Sequence, residues 1–232
     1  MQLTNGKLVA DTGLDDPVLV VASGGSGRQG GWRGKRALDV ALSGLLILLT
    51  LPLFVGAGLA VKSSSRGPML FRQRRVGRGG REFAILKFRT MRSDAQEQLV
   101  DNARLREMFL NGSHKIPGHL DPRVTNVGRI LRRFSLDELP QLINVLRGDM
   151  SLVGPRPVER SQLRRDYCGF EHIYVDLRPG LTGLWQVSGR STVQFPERAQ
   201  MDAEYRQWCG PWLDAKIIAR TPRVVFTGLG AG

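Results

Sequence analysis

Asp137 and Glu138 stand side by side in a chain rich in arginine, and that combination suits phosphate chemistry. Aspartate serves as a covalent nucleophile toward phosphoryl groups, and guanidinium groups grip phosphate oxygens bidentately. Side chains one residue apart on a helix point in different directions. One carboxylate can therefore face a substrate while its neighbour holds a metal ion. The pair also has a plainer reading, because acids in the first turn of a capped helix complement its dipole. Spacing alone leaves both readings open. Other chemistries are poorly served. The three histidines show no HExxH spacing, and there is no P-loop and no Ser/His/Asp set. Two cysteines, Cys168 and Cys209, exclude a disulfide-stapled scaffold and a Cys₄ zinc site. They match no redox motif and are expected to be free thiols without a catalytic part. Residues 25–30 read GxGxxG after a strand-like VLVVA, yet a dinucleotide fingerprint must open a helix inside a βαβ unit. Here the chain passes through Trp32-Arg33-Gly34-Lys35-Arg36 into an apolar run, so this stretch reads as a linker.

The elements that must position the dyad start with that run. Val40 to Val61 is 22 residues without a charge, about 33 Å as helix against a hydrocarbon core of about 30 Å. It begins too far from Met1 for a removable signal peptide. Pro52 near its middle removes a helical hydrogen bond and bends the helix. Arg33, Lys35 and Arg36 precede the run, and Lys62 and Arg66 follow it. Basic residues favour the cytoplasmic face, so both ends are expected on one side: a re-entrant hairpin with its break at Pro52. A kinked spanning helix remains the alternative on physics alone. Immediately afterwards, residues 72–92 carry eight Lys/Arg against one acid, Glu82. Such a cluster beside a membrane segment attracts anionic headgroups. The chain's net charge of +13 likewise demands an anionic partner.

The remaining pattern predicts an α+β, mostly helical fold. It combines the re-entrant membrane hairpin with a small cytoplasmic catalytic domain that carries a β-hairpin and interfacial helices. Residues 1–32 read as a leader, 33–66 as the membrane hairpin and 67–232 as the catalytic domain. MLFRQRRV and EFAILKF flank Gly77-Arg78-Gly79-Gly80 as the β-hairpin. Ser93-Asp94-Ala95-Gln96 has capping-box spacing for a helix to about Leu110. Residues 111–121 form a loop, and a short helix covers 127–134. Ser135 to Glu138 has capping-box spacing again and opens LDELPQLINVLR, which Gly148 ends. Residues 149–157 and 178–195 are expected to be mostly irregular, with helices at 158–168, 197–208 and 212–226. The last is interrupted at Pro222 and lies either at the membrane surface or on the core.

Three stretches then carry a resemblance. These are DPRVT (121–125) with Gly128-Arg129 and Leu131-Arg132-Arg133, SLDELPQLINVLRGDMSLVGPRP (135–157), and RPGLTGLWQVSGR (178–190). Together with KRALD (35–39), QRRVGRGGREFAILKFRTM (73–91) and the Pro-centred apolar run, they closely resemble the bacterial sugar transferases over roughly residues 33–226. These are monotopic polyprenyl-phosphate sugar-1-phosphate transferases that start exopolysaccharide and related glycan assembly. The resemblance implies that Asp137 attacks the sugar-bearing phosphate of a UDP-sugar, releases UMP and forms an aspartyl-phosphosugar. A polyprenyl (undecaprenyl) phosphate then accepts the phosphosugar. It also implies Mg²⁺ as cofactor, associated with Glu138 and Asp137, and phosphate contacts from Arg156, Arg190 and Lys87. The implied setting is the bacterial inner membrane, with an anionic phospholipid surface as partner and the catalytic domain facing the cytoplasm. The larger subfamily carries extra spanning helices ahead of this unit, and this chain is expected to be a minimal form. Two rivals remain at the level of composition: a basic nucleic-acid-binding protein, which would need a recognised binding motif, and a membrane-anchored scaffold without catalysis. No nucleic acid is expected as partner, and a homo-oligomer is left open.

Overall fold

A computed structural model describes residues 31–111, Ile116 and residues 120–227. The GxGxxG stretch, most of the leader and part of the 111–121 loop lie outside the described residues.

Helix α1 (Lys35–Ser64) contains the whole apolar run. Its Leu45, Leu48, Leu49, Leu51, Leu53 and Val55 are exposed, whereas Ala57, Gly58 and Val61 near its end are buried. An apolar helix with this distribution is suited to lipid rather than to a protein core. The segment is one continuous helix with Pro52 inside it, where the sequence led us to expect two arms. Strands β1 (Leu70–Val76) and β2 (Glu82–Phe88) form the expected antiparallel hairpin, with Phe71 opposite Lys87 and Gln73 opposite Ile85. A 3₁₀ turn at Arg78–Gly80 joins them.

The single helix expected after Ser93 is divided into α2 (Ala95–Asp101) and α3 (Ala103–Asn111). Asn102 stops the first in an extended conformation, and its side-chain oxygen accepts a hydrogen bond from Leu105 N in the second. An Asn inside a helical pattern competes for backbone donors in this way. Helix α4 (Asn126–Arg133) begins where Thr125 accepts a hydrogen bond from Gly128 N at 2.9 Å. Helix α5 (Gln141–Arg147) ends on Gly148 at φ 90, the left-handed position that favours glycine.

The expected capping box at Ser135 is corrected. Ser135 is left-handed at φ 55 and makes no side-chain cap, and Leu136–Glu138 is a 3₁₀ turn with Pro140 between it and α5. Pro140 provides no N–H to continue an i to i−4 ladder from the turn, so the dyad sits ahead of the helix. The segments expected to be irregular also differ. Strands β3 (Ser151–Val153) and β4 (Gly180–Thr182) pair in parallel. Around them lie α6 (Arg160–Asp166), an unforeseen α7 (Glu171–Asp176), α8 (Leu184–Ser188) and a 3₁₀ turn at Arg190–Thr192. Helix α9 (Glu197–Trp208) falls where expected, and α10 (Pro211–Thr227) runs through Pro222 without interruption.

The main core joins Ile85, Leu142, Val145, Met150, Val153, Leu184, Tyr205 and Ile217. A second cluster packs Ala57 and Val61 of α1 on Phe88 and Leu131. Asn144, fully buried, fastens α5 along the edge of β2. Its Oδ1 accepts from Leu86 N at 2.9 Å, and its Nδ2 donates to the Ala84 carbonyl at 2.9 Å. A side-chain amide thus takes the place of a third strand, and that fixes where β2 and the dyad meet.

Candidate active site

Lys87, near the end of β2, donates from Nζ to Glu138 Oε1 at 2.8 Å. Arg156, from the GPRP segment after β3, donates to the same oxygen at 3.0 Å. Three residues far apart in sequence are therefore brought onto one carboxylate. Glu138 is half-buried. Burial alone would push its carboxyl up, but Lys87 and Arg156 together outweigh this and hold it well below the usual carboxylate range. Arg156 in turn is raised, chiefly by Glu138.

Asp137 is in the opposite state. Among the described residues no side chain donates a hydrogen bond to it. Burial, and then the neighbouring Glu138 charge, push its carboxyl up to about 6, against weaker opposing pulls from Lys87, Arg132 and Arg156. Two adjacent acids in one site have been separated by their surroundings: one firmly ionised, the other poised near neutrality.

Arg190 donates from Nη2 to Ser135 Oγ at 3.3 Å. Its charge is felt by Glu138 and Arg156. Ser135 and Arg190 are the two non-glycine residues with positive φ among the described residues, at 55 and 52. That both adjoin the dyad, and each other, places local backbone strain at the site. Pro52 lies apart, inside α1.

The expected set of Asp137, Glu138, Lys87, Arg156 and Arg190 is thus assembled in one place. Sequence reading missed Arg132 as a member. It is five residues before Asp137, on α4, and donates from Nε to Thr90 Oγ1 at 2.9 Å while its charge acts on Asp137. Its position in the LRR triplet was visible, but nothing in the sequence distinguished it from Arg133. Sequence reading also did not single out Asp202 on α9, whose partners are Tyr167 and Arg198. It is buried and accepts from the Tyr167 hydroxyl at 2.7 Å, and burial pushes its carboxyl up to about 7. Cys168 is exposed and Cys209 half-buried, both as free thiols.

The described residues contain no cluster of three or more His, Cys, Asp or Glu, so they offer no all-protein metal cage. Two adjacent carboxylates do match what Mg²⁺ asks of a phosphate-handling site, where one or two carboxylates and substrate oxygens complete its shell. Among the described residues, one oxygen of Glu138, Oε2, and the Asp137 carboxylate accept from no side-chain donor and are available for that purpose.

Residues 31–228 match the family described as bacterial sugar transferase. The chain is 38% identical over 225 residues to the exopolysaccharide production protein ExoY of Rhizobium meliloti (strain 1021), covering 96% of this chain and 98% of that protein. It is 46% identical over 202 residues to the UDP-glucose:undecaprenyl-phosphate glucose-1-phosphate transferase of Caulobacter vibrioides, covering 83% of this chain and 70% of the relative. Identity to the undecaprenyl-phosphate galactose phosphotransferase of Salmonella typhimurium is 40% over 200 residues. That match covers 85% of this chain but 41% of that longer relative.

Proposed function

The chain belongs to the bacterial sugar transferase family, and on that premise we propose that it moves a sugar-1-phosphate from a UDP-sugar to polyprenyl phosphate through a covalent enzyme intermediate. One observation carries the reading: Glu138 is engaged by Lys87 and Arg156, while Asp137 beside it has no side-chain donor among the described residues. An unencumbered carboxylate next to a fixed, charge-compensated one is what a nucleophile requires. In the first step an Asp137 oxygen attacks the phosphorus that bears the sugar. The bond to the bridging oxygen breaks, and UMP departs with that electron pair. In the second step a phosphate oxygen of the lipid attacks the same phosphorus, the aspartyl bond breaks, and the Asp137 carboxylate is restored. The products are UMP and a polyprenyl diphosphate sugar.

Lys87, Arg156, Arg190 and Arg132 supply positive charge where two polyanions must meet a carboxylate, and they lie ready before substrate arrives. Mg²⁺, held by Glu138 and Asp137 together with the donor's phosphates, would add charge neutralisation at the leaving phosphate. Splitting the transfer lets one site serve a soluble donor and a membrane-bound acceptor in turn.

The acceptor cannot leave the bilayer, so the site must lie at headgroup level. The basic flanks of the apolar run favour the cytoplasmic side for the catalytic domain, and the attachment of α1 supports a re-entrant arrangement. Near its start Asp39 accepts hydrogen bonds from Ser151 Oγ and Leu152 N. Near its end Ala57 and Val61 pack on Phe88 and Leu131. Both ends therefore rest on the same body, whereas a span of about 33 Å would carry one end to the far leaflet. Single cysteines at residues 30 and 66 of a cysteine-free variant should both resist an impermeant thiol reagent applied from outside. Labelling at residue 30 alone would mean a span.

The chemical test is intact-protein mass after exposure to UDP-sugar without lipid. The protein should gain one sugar-phosphate increment, mapped to the peptide that holds Asp137. An adduct that persists in Asp137→Asn, or undiminished turnover by that variant, would end the proposal.

A further inference from the structure

Between the end of α1 and the dyad lies a surface that the reaction scheme above leaves unused. Pro68, Met69, Leu70, Phe71, Arg72 and Arg89 line a shallow groove of about 570 Å³ at the start of β1. Met69 and Phe71 are 41% and 46% exposed, large apolar side chains beside a strongly cationic hairpin. The groove's two ends have definite neighbours. At one, the Met69 sulfur lies against Gly58 of α1, where any Cβ would collide with it. Gly58 is three residues before the end of the apolar run, so Met69 stands beside the last turns of that run. At the other, Phe71 is the direct cross-strand partner of Lys87. Directly opposed residues of an antiparallel pair share a face, with Cβ atoms about 5 Å apart. Lys87 in turn holds Glu138 at 2.8 Å. Two exposed apolar side chains, Met69 and Phe71, thus stand between the end of α1 and the strand position opposite Lys87.

We propose that this groove seats the first isoprene units of the lipid acceptor, with Phe71 as the contact that guides its phosphate to the dyad. The proposal rests on the transfer reaction stated above and adds where its acceptor lies. Charge agrees with an anionic amphiphile. Arg89 is engaged by the Ser65 and Arg66 carbonyls, but Arg72 has no ion pair or hydrogen bond among the described residues. The groove therefore offers apolar wall and an uncompensated guanidinium together, continuous with the helix that enters the bilayer. A phosphate head on a branched hydrocarbon chain matches both.

The test uses the full chain in mixed micelles. Phe71→Ser should raise the KM for undecaprenyl phosphate about tenfold, the scale of one lost aromatic contact. Phe71→Leu should restore most of it. Geranyl phosphate, which keeps the first two isoprene units, should lose as much as the full-length acceptor. The first half-reaction, read as exchange of labelled UMP into UDP-sugar, does not involve lipid and should match wild type in both variants. An unchanged acceptor KM in Phe71→Ser would mean that the groove holds bulk lipid or nothing, and would overturn the proposal. So would a loss confined to the full-length acceptor, or a parallel fall in UMP exchange. Absence of exchange in the wild type would instead refute the underlying reaction.

Discussion

Two regions of this protein each gather a pair of carboxylates among basic and polar groups, with opposite outcomes. At the start of α1, Asp214 accepts from Trp32 Nε1 at 2.9 Å and from the Tyr205 hydroxyl at 2.7 Å, and it also pairs with Lys35. Asp39 beside it accepts from Ser151 Oγ and Leu152 N. Both are buried, and both have their donors. Carboxylates so arranged hold parts of the chain together, here the membrane helix to β3 and α10. At the dyad only Glu138 is provided for. Asp137 is left with burial and a like charge, and its carboxyl rises to about 6. The fold satisfies acids completely where they join elements, and leaves incompletely satisfied the one that we propose as the reagent.

The largest expected effect breaks the comparison at Asp137. Asp137→Asn keeps the shape and removes the attacking oxygen, so turnover should fall at least about a thousandfold. Melting temperature should hold or rise, since the substitution also removes a charge that burial disfavours. A stability loss with near-normal rate would make Asp137 a structural acid like Asp214.

Asp214→Ala is the mirror experiment. It leaves Lys35, Trp32 and Tyr205 without their acceptor, and breaking such a buried pair costs about 3 kcal/mol or more. Urea or thermal unfolding should register that loss, while the rate per folded molecule stays near wild type.

Glu138→Gln is expected to slow turnover about a hundredfold, the scale for one misplaced electrostatic partner, and to weaken dependence on Mg²⁺. It also sharpens the contrast through pH. In the wild type, kcat/KM for the UDP-sugar should fall on the acid side with a midpoint near 6, because protonated Asp137 cannot attack. Glu138 raises that value, so its neutralisation should move the acid limb to lower pH. A limb that stays in place would assign it to another group.

Arg190→Lys should be the mildest, about tenfold in rate, since an ammonium cannot copy a bidentate fork. The loss should be larger if Arg190 meets substrate phosphate than if it only steadies Ser135, and Ser135→Ala separates the two by removing the hydroxyl contact.

Much was already legible in the sequence. An uncharged run of 22 residues can only be satisfied by lipid or a large core. Alternation on either side of Gly77-Arg78-Gly79-Gly80 defines the hairpin. Gly148 marks a real helix end because a C-cap is a local matter of one left-handed residue, whereas the Thr125 cap of α4 had not been singled out. The motifs around Asp137, Glu138, Arg156 and Arg190 identified the family and nominated the same residues that the fold brings together. What local signals could not decide was every feature set by groups distant in the chain. Ser135 looked like a cap, but its conformation is left-handed, and Arg190 reaches it from 55 residues away. The β3–β4 pairing joins strands of three residues each, too short to show periodicity. The two protonation tendencies within the dyad also depend on tertiary structure. Asp137 and Glu138 are neighbours with nearly the same chemistry, and only the arrival of Lys87 and Arg156 at one of them makes them differ. Electrostatic interaction depends on distance and burial, and the folded chain alone determines both.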